Sequence, residues 1–390
     1  MAMASASRAV NIADLRAAAQ RRLPRAVFDY LDGTADDGVT GRDNIAAFGE
    51  VVFQPRQAVM TTPDMAARVL GVDLAVPFLL TPIGYCRLLH PRGDYAAAAA
   101  AKRIGTGFIV ATGAGTAMEE VVRENENTFY QVYKIGGRAC AERAIGRAQA
   151  LGLKALFLTI DTPVSGNRER DPKNGMGALM GRKWLPKIPY VPEIMSHPRW
   201  LARFLLDGGT PPMPNVRGAD GKALPAVDVK DALANANILW EDLDWIRKLW
   251  SGPIVIKGVM TAADAQRAVD AGADGIVVSN HGGRQLDGVA ATLRVLPGIA
   301  EQVKGKTTIF LDSGIRRGAD IAKAICLGAD AVLVGRAYAY GLAAAGDAGV
   351  ERALQILKAD LLRSMKLLGA ATVKDLKPEL VRLPAGFRVD

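Results

Sequence analysis

Short apolar runs recur along the chain at intervals that leave room for a helix between them. Eight read as strands: 77–82 (PFLLTP), 107–112 (GFIVAT), 128–133 (TFYQVY), 155–161 (ALFLTID), 253–258 (PIVIKG), 275–280 (GIVVSN), 308–314 (TIFLDSG) and 331–336 (AVLVGR). They are apolar on both faces rather than alternating, as strands covered by helices must be. Segments such as TAADAQRAVDAGA and GADIAKAICLGA carry the helical spacing between them, each ending at a glycine suited to a helix C-terminus. The first fifty or so residues read as a helical lead-in, with Asp14 opening an amphipathic helix. This strand–helix alternation predicts an α/β fold, a (β/α)8 TIM barrel. One domain spans 1–390: lead-in 1–60, barrel 75–370, and a long insertion over 172–240 after the fourth strand.

Function in such barrels gathers at the C-terminal ends of the strands. Those ends carry Pro82-Ile83-Gly84, Thr112, Gln131 and Tyr133, Thr159 and Asp161, Lys257, Ser279 and His281, Asp312, and Gly335-Arg336. The fourth crossover is too long for a simple connection and is broken by Gly/Pro-rich patches such as DGGTPPMPNVRGADGKALPA. Its first part mixes Trp184, Tyr190, Trp200 and Phe204 with Arg182, Lys183, Lys187, Arg199 and Arg203. Basic and aromatic residues together fit an interfacial membrane contact. An active-site lid or a subunit contact is the other reading of the same stretch.

Composition narrows this picture. An apolar fraction of 49% with 23% charged residues belongs to a globular chain with a large core. The net charge of +9 favours anionic small molecules or an anionic surface, yet it is too dispersed for nucleic acid, which is not expected as a partner. Cys86, Cys140 and Cys326 are odd in number and far apart, and read as reduced thiols of a cytoplasmic protein. No apolar run reaches the eighteen or so residues of a membrane span, so contact with a membrane would be peripheral.

The chemistry begins with phosphate. SGIRRG (313–318) and VGRA (334–337) place glycines and arginines after strands seven and eight, where such barrels bind phosphate. Lys257 ends an apolar strand, either as a Schiff-base nucleophile or as a fixed cation facing an electron-rich group. Gln131, Thr159 and Ser279 add neutral donors and acceptors suited to the edge of a heteroaromatic ring. In SNHGGRQLDG (279–288), His281 can exchange protons near neutral pH, and Arg284 can clamp a carboxylate. Asp161 can orient that imidazole, and Arg168 offers a second carboxylate ligand. His90 and His197 lack such company and read as structural turn residues. One base, an aspartate behind it, two arginines and a phosphate-anchored cofactor suit oxidation next to a carboxylate.

The stretches SNHGGRQLDG, DSGIRRGADIAKAICLGADAVLVGR, VIKGVMTAADA, LTIDTP with RERD, and LPRAVFDYLDGTADD resemble the FMN-dependent L-2-hydroxy acid oxidase/dehydrogenase family, over about residues 10 to 375. The resemblance implies FMN as cofactor and His281 as base with Asp161 as its partner. It implies Arg168, Arg284 and Tyr30 on the substrate carboxylate, Tyr133 on the substrate oxygen, and Lys257 beside flavin N1 and O2. Pro82, Ile83, Gly84, Gln131, Thr159 and Ser279 match positions around the isoalloxazine ring. Asp312, Gly314, Arg316, Gly335 and Arg336 match those on the ribityl-phosphate tail.

Departures from the family pattern sharpen the expectation. Ala111 stands where many relatives have a flavin-contacting serine, and Gly113 where glycolate oxidases carry a tryptophan, which implies a wider pocket. Gly84 is the residue that dehydrogenases of the family tend to carry where oxidases have alanine. The expected reaction is oxidation of an L-2-hydroxy acid, lactate or an aryl analogue such as mandelate, with electrons passed to a quinone or other acceptor rather than efficiently to oxygen. The open alternatives are an oxygen-using oxidase and an FMN-binding relative with a different substrate. The insertion resembles that of membrane-associated relatives, which places the contact in 182–206, on the inner face of the cell membrane. Relatives are often tetramers, so a homo-oligomer is expected.

Overall fold

The computed structural model describes residues 8–181, 183–225 and 236–389. Arg182 and part of the predicted insertion lie outside the described residues. The barrel strands are β1 (Phe78–Leu80), β2 (Phe108–Ala111), β3 (Thr128–Val132), β4 (Leu156–Thr159), β5 (Ile254–Val259), β6 (Gly275–Val278), β7 (Thr308–Leu311) and β8 (Ala331–Val334). They close in sequence order, all parallel, with β8 against β1 and β4 against β5. Seven of the eight predicted runs contain their strand, and β5 runs one residue beyond its run, to Val259.

The barrel is filled, not hollow. Leu79, Ile109, Phe129, Phe157, Val255, Val277, Phe310 and Leu333 pack inward as one cluster. Phe157 lies 5.9 Å from Phe129 and 5.8 Å from Phe310, ring centre to ring centre. That plug of apolar side chains closes the barrel below its mouth, so polar groups converge only at the C-terminal rim.

The lead-in forms helices Ile12–Arg22, Arg25–Asp32 and Val39–Glu50. The first is capped by Asn11, whose Oδ1 accepts the Asp14 N–H at 2.9 Å, so the helix opens before Asp14 and Asp14 sits in its acidic first turn. The lead-in is tied to the rim. Ala35 N–H donates to Gly283 O at 2.8 Å, and the buried amides of Asn44 and Asn280 exchange hydrogen bonds at 2.8 Å. This brings the helix that carries Tyr30 over the cleft.

After β4 the described residues run through short helices, of which Pro198–Leu206 is the longest. Trp200 anchors that helix: it is buried, donates Nε1–H to Leu88 O at 2.8 Å, and stacks on Phe204 at 4.8 Å. Arg87 and Asp207 form an ion pair at the helix end. The Gly/Pro-rich part that follows is not simply a loop. Met213–Arg217 pairs antiparallel with Ala223–Leu224 as a small hairpin against the barrel mouth.

Candidate active site

The cleft at the C-terminal rim holds about 1420 Å³ of free space, counted out to its open mouth. Of the residues expected there, Tyr30, Pro82, Ile83, Gly84, Gln131, Tyr133, Thr159, Arg168, Lys257, His281, Arg284, Asp312, Gly314, Arg316, Gly335 and Arg336 line it. Asp161 and Ser279 do not; both stand one layer behind and act on residues that do.

His281 follows β6 in a left-handed conformation, φ 57°, and Gly282 and Gly283 continue it at φ 68° and 72°. Three successive left-handed residues turn the chain sharply off the strand, which explains why glycines follow the histidine. A side chain at Gly283 would strike the backbone of Gly41 in the lead-in. The turn sets His281 Nδ1 at 3.0 and 3.1 Å from the two oxygens of Asp161. Nδ1 therefore carries the proton and donates it, leaving Nε2 as the free acceptor.

Burial, helped by the charges of Lys257 and Arg168, lowers the His281 pKa against the pull of Asp161, so the ring is neutral near pH 7. Burial opposes the charge on Asp161, yet His281 and Lys257 bring its carboxyl down to about 2. Thr162 Oγ1 donates to the same carboxylate at 2.9 Å. Beneath it lies Gly258, φ 110°, where a Cβ would come within 2.6 Å of the Asp161 Cβ.

Lys257 is buried between Ser279, which accepts its Nζ–H at 2.9 Å, and the Asp312 carboxylate at 3.2 Å. Burial alone would lower its pKa; Asp312 and Asp161 raise it above the ordinary lysine value. It is a fixed ammonium, and the neutral amine that Schiff-base chemistry needs is not favoured here. Asp312, expected near the phosphate tail, is thus the counter-ion of Lys257. Gln131 Nε2–H donates to Thr159 Oγ1 at 3.0 Å on neighbouring strands.

The two arginines meet at the outer end of the cleft. Arg284 donates to Gly33 O at 2.9 Å and lies over the Tyr30 ring at 5.2 Å. Arg168 makes only long contacts, both 3.4 Å, to Arg284 O and Gln285 Oε1. Burial, then the repulsion of Arg168 and Arg336, pulls the Arg284 pKa down to about 9. Neither forms an ion pair among the described residues, so an incoming carboxylate would relieve that repulsion. Tyr30 OH donates to Gly84 O at 3.2 Å, and the Tyr133 hydroxyl lies 3.3 Å from Thr162 Oγ1.

At the phosphate end the arginines divide. Arg336 donates to three peptide oxygens, of Leu31, Gly282 and Gly33, so its guanidinium ties the lead-in to the His281 turn. Arg316 makes one such bond, to Ile315 O at 2.9 Å, and keeps donors for an anion. Sequence reasoning missed Tyr85, Ile135, Thr162, Ser165, Ser313 and Met213, all on the cleft wall. Tyr85 and Ser313 have positive φ, 57° and 73°, a backbone property with no signature in residue type at those positions.

Such a mouth, with a histidine on an aspartate, two arginines without ion partners among the described residues and a charged lysine, suits a barrel oxidoreductase with a phosphorylated cofactor. Residues 19–383 match the model of the FMN-dependent dehydrogenases, and the chain belongs to that family. It is 40% identical to L-lactate dehydrogenase of Pectobacterium atrosepticum over 93% of this chain and 94% of the relative. It is also 40% identical to pre-mycofactocin synthase of Mycobacterium tuberculosis, over 97% and 95% of the two chains. A crystal structure of the monotopic membrane protein (S)-mandelate dehydrogenase superposes with a TM-score of 0.89 at 35% identity, covering 97% of this chain and all of that one. The cofactor is FMN, and the donor set here fits it: the Gln131–Thr159 pair and Lys257 can hold the ring edge, and the 313–316 turn with Arg316 the phosphate.

Proposed function

We propose that this FMN-dependent enzyme oxidises an L-2-hydroxy acid to the 2-oxo acid, with lactate or an aryl analogue such as mandelate as substrate. The observation that carries the reading is the neutral His281 held on the Asp161 carboxylate, facing two half-buried arginines that lack a carboxylate partner among the described residues. Arg168 and Arg284 hold the substrate carboxylate, with Tyr30 beside them, and Tyr133 holds the 2-oxygen. His281 Nε2 receives one proton as the carbon–oxygen bond becomes a carbonyl, and Asp161 stabilises the imidazolium. FMN, when bound, would supply the acceptor for the two electrons and the second hydrogen. Lys257, kept charged by Asp312, offsets negative charge at the ring edge.

Gly84 supports an acceptor other than oxygen, such as a quinone. The crossover supports a membrane location for that exchange. No helix among the described residues is long and apolar enough to cross a membrane. Yet Trp184, Leu205 and Leu206 are exposed at 69%, 63% and 89%, beside Arg199 and Arg203. Burial and the repulsion of those two arginines lower the pKa of Arg22, a mark of clustered cations facing out. A peripheral contact with an anionic leaflet through 183–206 fits both features. A homotetramer, as expected from the sequence resemblance, remains part of this proposal.

A second reading, action on a different substrate, is favoured by the equal identity to pre-mycofactocin synthase. Absorbance of the purified flavoprotein, taken anaerobically with L-lactate and then L-mandelate, separates the two. Bleaching with either acid is expected; an unchanged oxidised spectrum with both would favour the second reading.

A further inference from the structure

The inner half of the crossover reaches into the active site. Met213, at the start of the hairpin strand, is 1% exposed and lines the cleft. It packs with Ile135 and Val216, against the partly buried Tyr85 and Tyr133. Its Cε lies 3.5 Å from the point where a Cβ on Gly113 would stand. Gly113 and Ala111 take up little room on the same wall, so the space they leave is bounded by thioether, isoleucine and tyrosine. Carbon and sulfur surfaces dominate it, whereas the arginines stand at the carboxylate end.

The strand is pinned by Asn215, two residues on and fully buried. Its Oδ1 accepts the Met118 N–H at 2.8 Å, and its Nδ2 donates to Ala111 O at 3.3 Å and Thr116 O at 3.1 Å. One amide thus ties the crossover to the end of β2 and to the loop and helix start that follow it. Arg147 adds bonds to Pro214 O and Asn215 O while pairing with Glu119 at 2.7 Å. Three peptide groups depend on the Asn215 side chain, and stranding buried groups of this kind is costly, so the strand has one seat. A hydrophobic side chain two positions away is therefore held against the barrel as firmly as a strand residue would be.

We propose that Met213, positioned by Asn215, is the specificity wall for the substrate side chain, and that it selects 2-hydroxy acids with an apolar group larger than methyl, planar ones included. The inference rests on the 2-hydroxy acid reading and names the substrate class within it. Methionine suits the role because its unbranched thioether adapts to a ring edge.

The test compares wild type with Met213→Trp and the volume-conserving Met213→Leu. One readout is kcat/KM for L-lactate and L-mandelate; the other is flavin spectral shift on titration with pyruvate and benzoylformate. Met213→Trp is expected to lower the mandelate-to-lactate ratio, and the benzoylformate-to-pyruvate affinity ratio, by roughly 10–100-fold. Retained flavin absorbance in both variants checks that the fold is intact, and Met213→Leu should keep both ratios near wild type. Asn215→Ala should lower the mandelate ratio through KM more than kcat, with flavin retained. If both acids are oxidised and neither ratio moves in Met213→Trp, the specificity wall is wrong while the reaction reading stands. If no acid bleaches the flavin but the binding preference still collapses in Met213→Trp, the wall stands and the reaction reading fails.

Discussion

At the barrel mouth, Lys257 and Asp312 are buried, Asp161, His281 and Arg284 are half-buried, and all but Arg284 are ion-paired. On the crossover after β4, Trp184, Met195, Leu205 and Leu206 face outward, up to 89% exposed, the last two on a helix pinned from beneath by Trp200. One region buries charge, and the other exposes apolar surface; each is the costly placement for its residue types. The mouth offsets its cost internally, through counter-ions set by β4, β5, β6 and β7. The crossover has no such internal partner among the described residues, and its apolar surface points to something outside the chain. Charge buried with its partners reads as chemistry, and apolar surface held out reads as contact.

The same contrast explains what the sequence discloses. The barrel is legible because strands covered on both sides must be apolar throughout, and because charged residues at their ends have no packing reason to be there. His281, Asp161, Lys257, Arg168 and Arg284 stand out in that way. Gly258, Met213 and Asn215 do not. Gly258 matters because Asp161 leans over it from the neighbouring strand, and Asn215 matters because three peptide groups about 100 residues earlier converge on it. Both are facts of tertiary placement, and a Gly/Pro-rich stretch carries no periodicity from which a pinned strand can be read. Arg336 shows the converse: its position is visible in the sequence, but its three peptide-oxygen partners are not.

If the mouth works as a closed set of pairs, removing its base has the largest effect of any change. His281→Gln should retain flavin absorbance and lower kcat by about 10²–10⁴-fold, as read by anaerobic flavin reduction in a stopped-flow instrument. A rate within tenfold of wild type would mean that His281 is not the proton acceptor. The clamp comes next. Arg168→Met should cost about 10–100-fold in kcat/KM, the range for losing a charge-assisted hydrogen bond, with the loss mainly in KM for a 2-hydroxy acid. An unchanged KM would remove Arg168 from the carboxylate site.

The crossover should respond in the opposite sense. Replacing Trp184, Leu205 and Leu206 together by serine should weaken binding to vesicles containing anionic phospholipid by at least about tenfold, since each large apolar side chain contributes about 1.5–3 kcal/mol when fully buried. Turnover with a soluble dye acceptor should stay within about twofold. Vesicle binding that survives the triple change would assign the exposed face to another partner. Lost turnover with intact binding would show that the outer face, and not only Met213, supports the site.

The smallest effect is also the one that separates electrostatics from shape. Burial, Lys257 and Arg168 together hold the His281 pKa below 6.5 against the pull of Asp161. If the reactive form is the neutral imidazole, kcat/KM should fall as pH drops through that lowered value and be level above it. A base with a pKa below 6.5 is more than half deprotonated at pH 6.5, so the rate there should exceed half the rate at pH 8. The triple serine variant should trace the same curve, because none of its changes lies near the dyad. A limb centred above pH 6.5 in both proteins would mean that Asp161 outweighs the two cations and the burial. A limb that moves only in the surface variant would mean that the outer face of the crossover reaches the charges at the mouth, and the division between the two regions would not hold.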